Sequence, residues 1–435
     1  MIFSMTGLHS SGGTGGIPDT SSLLSRLVSR FEVGGSSARL APMEGLRGLA
    51  VSLVFLVHYD GLFARGLVPG SNSRAISAFL GMLGNWGVEL FFLLSGFLIY
   101  GYLIRKAVPA GEFLARRVQR IYPTFLLVFG AHLAVALLFT RHQHLPAGLG
   151  AVLRYVVENL LLLPGVFPIH PLVTVTWSLS YEVFFYLTIP LLIGAFRLRS
   201  RTRRWRILFF ASLLAVYWGF ALFGAAFHLR LSMFVAGILL YETIHGGAGE
   251  LRLKAAGEYL AIAGLCAGLV IATLLHGNAS PVQTLSEPYD FRKLTPTAIL
   301  WVSMYLFCLY CFGRKGPSAR VFAWRPLRLF GNMSYSYFLL HASVLHLLLP
   351  LWVRLAPDAT LYWLFLPIAW LLTALGSAAL FLMVERPLSL EIRTPREFAD
   401  LLTRWVRTGC KFVCSSGATN LNVAGDALAS RLDPR

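Results

Sequence analysis

The sequence predicts an all-α fold: a polytopic integral membrane bundle of about ten transmembrane helices with both termini in the cytoplasm. Three observations carry this. The 435-residue chain is 56% hydrophobic and only 13% charged, where a soluble domain carries about 25% charged residues. Ten apolar runs are long enough to cross a bilayer, which takes about 17 to 25 residues each. Finally, 30 of the 38 Lys and Arg residues fall on alternate connecting segments counted from the N-terminus, and 8 on the intervening ones. That asymmetry is the positive-inside bias. It also decides the meaning of the net charge of +18: basic residues spread over short loops between apolar runs belong to topology, so no nucleic acid is expected as a partner.

Residues 1–40 are rich in Gly, Ser and Thr and lack an apolar core of signal-peptide length, so a disordered tail is expected there. Spans are expected near 46–63, 84–104, 121–140, 177–196, 207–227, 229–245, 257–276, 295–312, 328–351 and 361–384. Only Phe227 to Arg230 separate the fifth from the sixth, which requires a tight hairpin. Leu153 to Leu163 is too short to cross and reads as an interfacial or re-entrant helix over the outer face. The basic run from Arg197 to Arg206 anchors the fourth span against anionic head groups. The membrane domain is therefore 41–390, and 391–435 is a cytoplasmic tail with a candidate surface helix at Thr394 to Val406. Cys266, Cys308 and Cys311 lie in apolar runs, and none of the five cysteines, Cys410 and Cys414 included, has metal-ligand spacing to histidine. No metal and no structural disulfide is expected.

One run organises the chemistry. From Leu46 to Tyr59 the chain is apolar except for Arg47 near its start and Ser52 and His58 within it. Eleven residues at 100° each make about three turns plus 20°, so Arg47 and His58 share a helical face, roughly 16 Å apart along the axis. An ionisable side chain inside a span costs about 2.5 to 3.5 kcal/mol and usually faces protein or a wet cavity. Depth counted from the span ends brings Glu89, Glu182 and His341 into the slab of His58. The functional reading is a general acid/base centre, with His58 accepting a proton and Glu182 or Glu89 orienting the imidazole. The alternative is a set of buried polar groups that join helices. His132 has no such company and is expected to be packed or hydrogen-bonded. For His142, His144 and His170, in the outer loop, a metal site is the lesser reading. Arg117 and Arg120, three apart on one face, can join Arg47 in presenting forked donors to phosphate oxygens; positive-inside anchoring is the other explanation.

These residues sit in motifs that resemble the acyltransferase family three of integral membrane enzymes over about residues 41–390. The motifs are Leu46-Arg47-Gly48 with His58; Gly87-Val88-Glu89 through Leu94-Ser95-Gly96-Phe97; Arg117-Val118-Gln119-Arg120-Ile121-Tyr122-Pro123; Thr176-Trp177-Ser178-Leu179-Ser180-Tyr181-Glu182 with Phe185-Tyr186; Gly331-Asn332-Met333-Ser334-Tyr335-Ser336-Tyr337 followed by His341; and Glu385-Arg386-Pro387. The resemblance implies an acyltransferase of a bacterial inner membrane. It moves an acyl group, usually acetyl, from coenzyme A to a hydroxyl of a cell-surface glycan, lipid-linked sugar or small glycosylated molecule. It implies essential roles for the residues matching Arg47 and His58, and donor binding at those matching Arg117 and Arg120. Acyl-coenzyme A is then a co-substrate and no tightly bound cofactor is expected. One departure matters: many relatives carry a second acidic residue beside the one matching Glu182, and Val183 stands there instead. Ser180 and Tyr337 are candidate oxyanion or acceptor contacts. With only a short tail after the bundle, a second transfer step is expected to need a partner enzyme. A proton-coupled transporter is the reading from another class.

Overall fold

The computed structural model describes residues 28–32, 41–138, 145–222, 229–245, 254–276, 291–313, 316–355 and 358–391, the side chains of 221, 222, 276 and 291–293 excepted. Every regular element among them is helical: α1 (Ala41–Phe63), α2 (Asn72–Arg105), α3 (Ala110–Leu138), α4 (Leu149–Leu160), α5 (Thr176–Ala195), α6 (Arg203–Leu222), α7 (Ser232–His245), α8 (Ala255–His276), α9 (Phe291–Gly313), α10 (Pro317–Phe322), α11 (Arg325–Asn332), α12 (Ser334–Leu355) and α13 (Ala359–Leu380), the last continuing as a π-helical stretch over Phe381–Leu390. Three short 3₁₀ turns complete the set.

Eight of these helices are long and apolar enough to cross a membrane: α1, α2, α3, α5, α8, α9, α12 and α13. The sequence leads one to expect ten. The other two expected spans coincide with α6 and α7, whose described parts, Arg203–Leu222 and Ser232–His245, each end where the described residues end. A second difference lies in the ninth expected span. The run 328–351 is broken at Met333, so that the short α11 packs against α1 and α12 starts afresh at Ser334.

α1 is the hub, packed against α2, α10, α11 and α12, while α2 also packs against α5, α7 and α8. Small residues let these backbones close up. A Cβ on Gly84 would lie 2.5 Å from the Leu53 carbonyl oxygen, and one on Gly87 would lie 2.5 Å from that of Ala50. Gly96 and Gly237 play the same part between α2 and α7. In hydrocarbon, where apolar burial drives little, such close approach supplies the dispersion contacts that hold helices together.

α4 buries only Tyr155 and Asn159 of its own residues. The Tyr122 hydroxyl on α3 donates to the Leu160 carbonyl at its end, 3.0 Å, and the connecting loop buries Leu162, Val173 and Val175 to 2% exposure or less. The end of α4 and this loop enter the bundle, so α5 begins beside the middle of α2, with Tyr181 against Phe92. At the other end, residues 28–32, within the tail expected to lack structure, lie against the bundle: Phe31 stacks on Phe381 at 5.6 Å, and Asn332 Nδ2 donates to the Phe31 carbonyl, 3.0 Å. The tail helix expected at Thr394 to Val406 lies outside the described residues.

Candidate active site

Two polar centres share the face of α1 that carries Arg47 and His58. The first is a histidine pair. His58 Nδ1 lies 2.9 Å from the Val54 carbonyl one turn earlier, and His341 Nε2 from α12 lies 3.3 Å from the same nitrogen. His341 Nδ1 lies 3.3 Å from the Tyr337 carbonyl. A carbonyl can only accept, so in the neutral rings both Nδ1 atoms carry the proton. His341 Nε2 then presents its lone pair to His58 Nδ1–H, and His58 Nε2 is the basic nitrogen of that ring. His341 is fully buried and His58 half-buried, so the inner ring holds the outer one.

The second centre is a cavity of about 150 Å³ toward the opposite end of α1. Arg47, Arg117, Arg120 and Glu182 line it, with Ser95, Ser178, Ser334, Tyr186 and Tyr335 completing the polar wall. The three guanidiniums differ in how they are held. Arg120 donates from Nη1 to Glu385 Oε1 at 2.7 Å. Glu385 Oε2 also accepts from the Ser336 backbone N–H at 3.0 Å and from its hydroxyl at 2.5 Å. That knot ties α3, α12 and the π-helical stretch, a type of distortion often found at functional sites. Arg117 lies over the rings of Phe113 and Tyr186, 5.2 and 5.8 Å away. Arg47 lies within electrostatic reach of Arg120, Glu385 and Glu182. Among the described residues neither Arg47 nor Arg117 has a hydrogen-bond partner.

Three guanidiniums against two carboxylates leave a local excess of positive charge with idle donors, the chemistry of a site for a phosphorylated or otherwise anionic ligand. Glu182 takes part through one oxygen, which accepts from the hydroxyls of Ser95 at 2.7 Å and Tyr186 at 2.5 Å.

Of the four residues expected in one slab, His58 and His341 meet and the two carboxylates do not join them. The glycine contacts set α2 against α1 so that Glu89 stands near the level of Ala50, about 12 Å from that of His58. There it forms a buried ion pair with Arg230 at 3.0 Å. Glu182 lies near the level of Arg47, because α5 starts inside the bundle rather than at its surface. Counting from the start of a span misplaces both. Ser180 is fully buried and donates to its own helix at the Thr176 carbonyl, 3.0 Å. Tyr337 is fully buried among Phe55, Phe330 and Trp370, a wedge beneath His341 and not a wall of the cavity.

The serines and tyrosines of the cavity wall were passed over in the sequence. The signal for Ser95 and Tyr186 is the half-buried carboxylate of Glu182, which requires donors. His132 is hydrogen-bonded, with its Nε2 3.2 Å from Ser343 Oγ. Of the outer-loop histidines, His142 and His144 lie outside the described residues, and the His170 carbonyl accepts from Asn159 Nδ2 at 3.4 Å. Cys308 and Cys311 are buried free thiols.

A family model described as an acyltransferase domain matches residues 41–382. Similar proteins include the exopolysaccharide production protein ExoZ of Rhizobium meliloti, 27% identical over 341 residues, which are 74% of this chain and 95% of that protein. Acyltransferase MdmB of Streptomyces mycarofaciens is 35% identical over 159 residues, 35% of this chain and 39% of its own. O-acetyltransferase OatA of Staphylococcus aureus is 27% identical over 201 residues, 43% of this chain and 30% of its own. No solved structure matches the chain.

Proposed function

Because this multi-pass membrane protein belongs to the acyltransferase 3 family, we propose that it moves a short acyl group, acetyl first among candidates, from coenzyme A to a hydroxyl of a cell-surface or lipid-linked carbohydrate. Family membership makes the chain an enzyme and removes the transporter reading. The carbohydrate acceptor and the acetyl group are supported by two relatives, an exopolysaccharide production protein and an O-acetyltransferase. The full reading includes a bacterial cytoplasmic membrane, ten crossings through residues 41–390, terminal tails on the cytoplasmic side, and the arginine cavity facing the cytoplasm. Support for that orientation is the basic-residue asymmetry, 30 against 8.

The observation that carries the mechanism is the division of labour along one face of α1. Guanidiniums at Arg47 and Arg117 that have no hydrogen-bond partner among the described residues face a cavity, and an imidazole whose Nδ1 is held by a carbonyl lies further along. In this reading the phosphates of the donor are held at Arg47 and Arg117, with Arg120 braced by Glu385, and the thiol arm extends toward His58. The acceptor hydroxyl gives its proton to His58 Nε2 as its oxygen attacks the thioester carbonyl. The tetrahedral adduct collapses, the carbon–sulfur bond breaks, and the leaving thiolate recovers the proton from the imidazolium. His341 steadies that cation by accepting from Nδ1–H. Proton transfer by a positioned base contributes about 10² to 10⁴-fold.

The test is acyl analysis by mass spectrometry of surface glycans from cells with the chain, without it, and with His58→Ala. The expected result is one acyl mass that disappears in both altered strains. Glycans identical in all three would defeat the proposal.

A further inference from the structure

The cavity and the histidine pair are separated by one layer of aromatic rings. Phe91 on α2 and Phe338 on α12 both line the cavity, and their rings meet edge to face at 6.1 Å. Phe338 lies 5.9 Å from the ring of His341, whose Nε2 is 3.3 Å from His58 Nδ1. One ring therefore stands between the space where a donor can sit and the pair that holds the base. The wall changes character here: the arginines and serines give way to Val88, Phe92 and Leu94.

We propose that Phe91 and Phe338 form a partition that selects the donor by the size of its acyl group. This rests on the acyltransferase reading above. A thioester held at Arg47 and Arg117 reaches His58 by turning aside the Phe338 ring, which touches both the cavity and the His341 ring. A rotamer change vacates space of about one phenyl group, enough for acetyl and too little for a chain of six carbons. Shortening Phe338 or Phe91 makes the opening permanent and wider. Apolar pockets discriminate by about 10- to 200-fold for each methylene they cannot place, so the relaxation is measurable.

Membrane vesicles that retain the cell's own glycans are given acetyl-, butyryl- or hexanoyl-coenzyme A, and acyl incorporation into glycan is measured for the wild type, Phe338→Ala and Phe91→Ala. The wild type is expected to use acetyl best. Each variant is expected to raise the ratio of hexanoyl to acetyl incorporation by about tenfold or more. If Phe338→Ala fails to accumulate as folded protein, Phe338→Leu, which keeps apolar bulk and loses the ring, is read for the same ratio. A ratio unchanged in folded, active variants would overturn the partition while leaving the transfer reaction standing. Absence of incorporation from any of the three donors by the wild type would overturn the acyltransferase reading and the partition with it.

Discussion

Arg230 and Arg47 both carry a guanidinium into the bundle, and the fold treats them oppositely. Arg230, only 5% exposed, is paired with Glu89 at 3.0 Å, donates to Asn85 Oδ1 at 2.9 Å, and lies over the Trp177 ring at 5.1 Å. Arg47 has carboxylates nearby yet hydrogen-bonds to none, and its fork opens onto a cavity. A buried cation ion-paired and hydrogen-bonded to α2 and covered by a ring of α5 is scaffold. One whose donors are idle beside a space is available to a ligand. Sequence position alone distinguishes them poorly, since both sit at the edges of apolar runs.

The contrast breaks most visibly at Arg230. Arg230→Ala leaves Glu89 charged and alone, and removing one partner of a buried pair costs about 3 to 5 kcal/mol; thermal unfolding in detergent is expected to register it. Replacing both, with Glu89→Leu and Arg230→Met, is expected to restore most of that loss, because no charge is then stranded. A single variant as stable as the wild type would mean the pair is not an anchor. At the histidine centre, His341→Ala removes the acceptor that steadies the His58 cation. It is expected to lower kcat about 10- to 100-fold, the worth of a hydrogen bond to a charged group, with KM for the donor unchanged. A shift in KM alone would assign His341 to binding instead.

Arg47→Ala and Arg117→Ala sharpen the other side of the comparison. Each is expected to raise KM for acyl-coenzyme A about tenfold and to change stability by less than about 1 kcal/mol, since neither leaves a hydrogen-bond partner behind. Equal destabilisation by Arg47→Ala and Arg230→Ala would erase the distinction. The smallest effect belongs to Ser180→Ala. Its hydroxyl serves only its own helix, so stability within about 1 kcal/mol and unaltered transfer rates are expected from the same assays.

Much of this was legible from residue order. The helical, membrane-spanning character follows from composition and run length, and the shared face of Arg47 and His58 follows from helical periodicity. The same periodicity put Arg117 and Arg120 together, and both line the cavity. The failures have a common cause. Glu89 and Glu182 were placed by counting from the ends of their spans, which assumes that every span begins at a surface. The loop before α5 enters the bundle instead and carries Glu182 down to Arg47. The run through Gly331 and Asn332 reads as one span in the sequence, whereas the break at Met333 makes α11 a separate element packed against α1; His341 still meets His58.

The order of residues by itself determined what each segment is: which runs are helical and apolar, which face of α1 is polar, and which side chains could carry a proton or meet a phosphate. These are properties of hydropathy and of a repeat of 3.6 residues, set within a few turns. Only the tertiary structure decided which polar groups meet. It paired Glu89 with Arg230 and His58 with His341, left Arg47 and Arg117 open to a cavity, and set two phenyl rings between that cavity and the imidazoles. Those outcomes depend on the register of one helix against another. That register comes from glycine-backbone contacts and ring packing between residues far apart in the chain, which no local pattern encodes.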